Sequence, residues 1–246
     1  ELVHWRDMVT YFSAMEKNCD RIKVMHMGPS TMGNPFLVLI ISSPANLANL
    51  EALQKINKTL SDPRGIDEQT LEAYVQQGRA VICQSMGLHS SEVGGTQAAP
   101  GIVHALVSGQ DRQTRRILDN VLFFMIPCFN PDGDIMIHDW YMQCKGTEHE
   151  GISMPLLYHK YIGHDTNRDG DFLNMVESRY AARIMFLEWP PQAYLDHHQM
   201  GSYGPRFYVP PYCEPIRPHA DPLIWREISW FGAHIAHKLE EREIKG

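Results

Sequence analysis

The chain has 246 residues, enough for one large α/β domain with a well-buried core. Its 43% hydrophobic and 21% charged residues are ordinary for a globular protein, and no linker, low-complexity run or internal repeat marks a boundary, so residues 1–246 are expected to form a single domain. A formal net charge of −7 argues against nucleic acid as a partner, and the longest apolar run, Phe36 to Ile41, falls far short of the roughly 20 residues that a membrane span needs.

The sequence opens with neither an initiator methionine nor a basic and apolar leader, which reads as a mature form or an excised segment and leaves the compartment open. Cys19, Cys83, Cys128, Cys144 and Cys213 are widely spaced with no C-x-x-C pair, a pattern that favours free thiols. Cys83 and Cys128 lie in apolar runs and read as small buried hydrophobes.

In chain order, Trp5, Met8, Val9, Phe12 and Met15 recur at helical spacing and predict an amphipathic helix. Arg21 to Met27 and Phe36 to Ser42 read as two strands joined by a Gly/Pro/Ser-rich turn. Helices near Leu47 to Leu60 and Asp67 to Gln77 lead to a uniformly apolar strand, Ala80 to Gln84, covered on both faces. A small-residue helix then runs to about Ser108, a short one covers Asp111 to Leu118, and Val121 to Pro127 is the next buried strand. Asn130 to Phe172 shows little periodicity and reads as loop, with Asn130-Pro131-Asp132-Gly133 as a turn. Glu177 to Leu187 is a predicted helix and Ala193 to His197 a strand. Trp225, Ile228, Phe231, Ile235 and Leu239 line one face of a final helix. The alternation predicts an α/β fold: a mixed, mostly parallel central sheet with helices on both faces.

Chemistry concentrates where the strand at Ala80 gives way to Gly87-Leu88-His89-Ser90-Ser91-Glu92. An imidazole and a carboxylate three residues apart can converge on one metal ion, and this is the sheet edge at which α/β proteins place ligands. His-x-x-Glu alone is weak evidence. It recurs at His237 and Glu240, inside the last amphipathic helix, where a solvated face explains it. A catalytic zinc site needs a third protein ligand, and Leu195-Asp196-His197-His198 offers two adjacent histidines that point to opposite faces. His198 is the chosen ligand, completing a His89, Glu92, His198 set for Zn2+, and His197 falls on the other face.

Read together, His89 and Glu92 after a strand, Asn130-Pro131-Asp132-Gly133 after the next, Asp165-Thr166-Asn167-Arg168, and Asp196-x-His198 on a late strand resemble the zinc carboxypeptidase family over most of the chain. The resemblance implies that Asn167 and Arg168 hold the free carboxylate of a substrate's C-terminal residue, a task that suits a guanidinium. It implies that Asp165 orients the His89 ring, and that the Asn130 turn shapes the site wall. It also implies a peptide or acylated amino-acid substrate and a secreted or periplasmic setting.

Two departures qualify this. Where digestive carboxypeptidases carry an arginine that polarises the scissile carbonyl, the chain has Lys145, which reads either as a substitute point charge or as an ordinary surface lysine. Only 48 residues follow His198, so the chain is expected to stop before the strand that carries the family's general-base glutamate; Glu227, Glu240, Glu241 and Glu243 read as solvated. The loop Gly201 to Pro211 is expected to form one wall of the pocket. Three functions compete: an exopeptidase acting at free C-termini, a deacylase or cell-wall amidase on the same scaffold, and a non-catalytic zinc or peptide-binding module.

Overall fold

The computed structural model describes residues 1–157, 159–201, 203, 207–211 and 220–244. The chain divides into two compact units, Glu1–Gln199 and Met200–Gly246. The boundary falls where the sequence after His198 turns rich in proline and glycine.

The first unit is built on a five-stranded sheet in the order β1-β2-β4-β3-β5. Strands β1 (Ile22–Pro29) and β2 (Pro35–Ile41) pair antiparallel as the expected hairpin. β2 pairs antiparallel with β4 (Val121–Ile126). β4 and β3 (Ala80–Met86) are parallel, as are β3 and β5 (Ala193–His197). The sheet is therefore mixed, with its parallel share half where most was expected.

Each face is closed by helices because β2 from Phe36 to Ile41 and β4 from Val121 to Ile126 are apolar at every position. In β2, Leu37, Leu39 and Ile41 face a core shared with Trp5, Met8 and Phe12 of α1 (Trp5–Asn18). α5 (Val93–Ser108) adds Ala99, Val103 and Val107 to it. On the opposite face, Phe36, Val38 and Ile40 pack with Cys83 and Phe124. The helical partners there are Leu53 of α3 (Leu50–Ser61) and Ala181 of α9 (Val176–Ala182), which continues as π-helical turns over Arg183–Glu188. Burying one large apolar side chain stabilises by roughly 1.5–3 kcal/mol, so this double-sided strand anchors the unit.

The single helix expected over Leu47 to Leu60 is broken at Asn49 into α2 (Pro44–Ala48) and α3, because Asn49 leaves helical geometry to end one and start the other. α4 (Glu68–Gln77) and α6 (Arg112–Asn120) begin where Asp67 and Asp111 accept hydrogen bonds from the backbone N–H three residues on.

The largest departure is α7 (Pro131–Cys144), a helix where a loop was expected. Asn130 is its N-cap, with Oδ1 accepting from Gly133 N, and Pro131 occupies the first turn. An Asn-Pro-Asp sequence serves a helix start as well as a turn, and Gly133, Ile135 and Ile137 diluted the helical signal. Asp132 is buried and grips the β1–β2 turn. It accepts from Ser30 Oγ, from Met32 N at 2.9 Å and from Asn34 Nδ2 at 2.7 Å. Glu177, fully buried, holds Thr31 N at 2.7 Å from the other side.

In the second unit, α10 (Pro222–Glu241) is the expected final helix, capped by Asp221. Its apolar face is partly covered: Ile228 and Phe231 lie on the surface, Trp225, Ile235 and Leu239 are half-buried, and Gly232 is buried. Parts of the loop expected to wall the pocket, at 202 and 204–206, lie outside the described residues.

No helix among the described residues is long and apolar enough to cross a membrane. Cys19, Cys83, Cys128 and Cys144 are free, and Cys213 lies outside the described residues.

Candidate metal centre

β3 ends at Met86, and Gly87 turns the chain with φ +69°. A Cβ at Gly87 would run into Thr96 Oγ1, so glycine alone lets the turn close against α5. Leu88 then plugs the core, and His89 emerges at the sheet edge. The turn is braced by neighbouring segments. Phe129 N donates to Met86 O at 2.8 Å, Asn130 N to Gly87 O at 3.2 Å, and Ser90 Oγ to Asn130 O at 3.2 Å.

Glu92 is the residue at which α5 starts, and its carboxylate is the hub of the cluster. His89 Nδ1 lies 2.9 Å from Oε1 and His198 Nδ1 lies 3.1 Å from Oε2. The Gln199 backbone N–H donates to Oε2 at 2.7 Å. His198 follows β5, and because β3 and β5 are adjacent parallel strands, with Met86 opposite His197, their C-terminal ends deliver both histidines to one place.

The outward nitrogens are held as well. His89 Nε2 meets Asp165 Oδ1 at 2.7 Å, and His198 Nε2 meets Asp196 Oδ2 at 2.8 Å. Ser85 Oγ donates to the other oxygen of Asp196 and bonds Tyr194 Oη at 2.7 Å. Each imidazole thus presents Nδ1 inward and spends Nε2 on a carboxylate, the arrangement that fixes tautomer and ring angle in metal-binding histidines.

Burial disfavours the charged form of His89, but its hydrogen bonds to Asp165 and Glu92 outweigh that and raise its pKa. The same bond from His89 is the main reason the Asp165 carboxyl is held below its ordinary range. His197 lies on the other face of β5, as expected, against Gln84 Nε2, and burial pushes its pKa down.

The donor atoms of His89, Glu92 and His198 lie within 4.8 Å of one another. Two imidazoles and one carboxylate form the donor set of a catalytic zinc site that keeps a position for water. The residues present therefore fit a zinc ion. The side chains of His89 and His198 are 17% and 34% exposed, so the cluster opens to solvent.

Asp165 Oδ1 also accepts from Asn167 N at 2.8 Å, starting the 3₁₀ turn Thr166–Arg168 that leads into α8 (Asp169–Phe172). Thr166 Oγ1 donates to Leu88 O at 3.2 Å. The turn is thereby tied to the His89 loop, with Asn167 and Arg168 exposed beside it.

Lys145, expected as a catalytic candidate, is engaged elsewhere. It ends α7, and its Nζ pairs with Glu1 Oε1 at 2.8 Å, a bond that raises its pKa. Glu150 and Tyr141 are the other groups that favour its charge, and none of the three belongs to the His89 cluster. The fourteen-residue helix α7, which was expected as loop, fixes where position 145 emerges.

Asp196, Ser85 and the Gln199 N–H carry no assigned role in the sequence reading. The first had a signal: Asp-x-His at a strand end puts both side chains on one face. The other two depend on strand pairing across more than a hundred residues.

An α/β sheet edge with a His2Glu cluster, each imidazole backed by a carboxylate, has the donor set of a mononuclear zinc site. Residues 8–193 match the zinc carboxypeptidase family. The chain belongs to that family. Among curated proteins, none matches it.

Among solved structures, carboxypeptidase A from Helicoverpa armigera is similar with a TM-score of 0.59 at 16% identity, over 98% of this chain and 54% of that one. Thrombin activatable fibrinolysis inhibitor is similar with a TM-score of 0.52 at 15% identity, over 80% of this chain and 47% of that one. At such identities the likeness is one of fold, and the chain spans about half the length of these relatives.

Proposed function

We propose that the chain carries the zinc site of a hydrolase that removes C-terminal residues from peptides, with His89, Glu92 and His198 as ligands. The observation that carries this reading is the double use of Asp165, whose Oδ1 holds both His89 Nε2 and the backbone of the Asn167-Arg168 turn. One carboxylate thus couples the metal ligand to the groups suited to a substrate carboxylate.

A zinc ion held there supplies a Lewis acid for the scissile carbonyl and an acidified water. The chain's own residues do the rest. Asp165 and Asp196 keep both Nδ1 atoms facing inward, the Gln199 N–H fixes Glu92, and Arg168 with Asn167 positions the substrate's terminal carboxylate.

The test is steady-state kinetics on paired peptides with free and amidated C-termini. A charge-assisted hydrogen bond contributes roughly 1.5–3 kcal/mol, so Arg168→Ala should raise KM for the free peptide by about 10- to 100-fold and leave the amidated one nearly unchanged. Equal effects on both would refute the exopeptidase reading in favour of a deacylase or amidase on the same scaffold. Zinc content should fall by one equivalent in His198→Ala and by none in His197→Ala, and the reverse would reassign the ligand.

A further inference from the structure

We propose that His4, His138 and Asp139 form a second, separate site for a divalent transition-metal ion such as Zn2+, one that fastens the start of α1 to α7. The three offer donor atoms within 4.8 Å of one another. The two rings meet edge to face with centroids 4.8 Å apart, and His138 Nδ1 lies 3.1 Å from Asp139 Oδ1. Two imidazoles and a carboxylate from two different helices suit zinc and its first-row neighbours over calcium or magnesium, which take oxygen donors.

A second observation points the same way. Asp134 stands one helical turn before His138, on the same face of α7. Its residue is only 5% exposed, and among the described residues its Oδ2 has no hydrogen-bond partner. His138 is the group that favours its charged form. A buried carboxylate short of a partner beside an imidazole is the outer carboxylate that metal-binding histidines commonly have, and a cation on His138 supplies the positive charge it lacks.

His4 Nδ1 accepts from Arg6 N at 3.0 Å as the cap of α1, which leaves Nε2 for the ion. Binding through Nε2 moves the remaining ring proton to Nδ1, so one cap hydrogen bond is given up for the metal bonds. The neighbouring Lys145 charge is matched by Glu1.

The two sites separate in a titration of metal-stripped protein with Zn2+ against a chromophoric chelator. Wild type should bind two equivalents, the double variant His4→Gln/Asp139→Asn one, and His198→Ala one. Zn2+ should raise the melting temperature of His198→Ala, and His138→Asn added to that variant should abolish the rise. If His198→Ala binds no zinc, or if the double variant still binds two equivalents, the second site is overturned. A single wild-type equivalent that survives His198→Ala and disappears with His4→Gln/Asp139→Asn would instead support this site and sink the catalytic one.

Discussion

Asp134→Asn should change the pH dependence of stability. Burial pushes the Asp134 carboxyl from 3.8 up to about 7, with His138 opposing. The folded state therefore holds a proton that the unfolded chain releases from about pH 4 upward. Between those values the unfolded state binds fewer protons, so this group makes stability fall as pH rises, by about 1.4 kcal/mol per pH unit. Over the two units between pH 5 and 7 that amounts to about 3 kcal/mol, and nothing further is lost above. Asparagine cannot ionise, although its amide brings a donor into a place where Oδ2 lacks a partner, at a cost that is the same at every pH. The variant's stability relative to wild type, from urea denaturation in chelator-treated buffer, should therefore improve by about 3 kcal/mol from pH 5 to pH 8. A relative stability that does not change across that range would refute the assignment of a neutral, buried carboxyl at this position.

Two further outcomes follow. Asp196→Asn removes the carboxylate behind His198 Nε2 and should weaken zinc binding by about 10- to 100-fold in a chelator competition, and unchanged affinity would deny Asp196 that part. Cys83 and Cys128 are buried, and desolvation pushes the first thiol up to about 12 and the second well above its usual value, so both should resist a thiol reagent that labels half-buried Cys19 in native protein. Labelling of either at the rate of Cys19 would contradict the packing.

What could be read in advance followed from local chemistry. The apolar run at Phe36–Ile41 marked a strand, the helices starting near Asp67 and Asp111 were expected, and strand alternation separated His198 from His197. What could not be read depended on partners far along the chain. α7 was hidden because its first turn is spelled like a reverse turn and because Asp132 is buried to hold the Ser30–Asn34 segment, a constraint invisible within residues 130–144. The two readings of Lys145 could not be separated for the same reason, since its position follows from the length of that helix and its partner is Glu1. The division after Gln199 has no periodic signature, because α10 carries the apolar spacing of a core helix.

The pairing of β5 with β3 also sets an order of events. His89 and His198 meet because two strands more than a hundred residues apart in sequence lie side by side. Contacts of that separation close late, after the local hairpin and helices have formed. The full donor set does not exist in any earlier species, so a chain whose last strand has not docked offers the ion only the His89–Glu92 pair. Metal uptake by this cluster would then time-stamp the completion of the sheet: in a refolding experiment the zinc signal should trail the helical one, and a chelator added early should leave helix formation undisturbed while destabilising the docked edge strand.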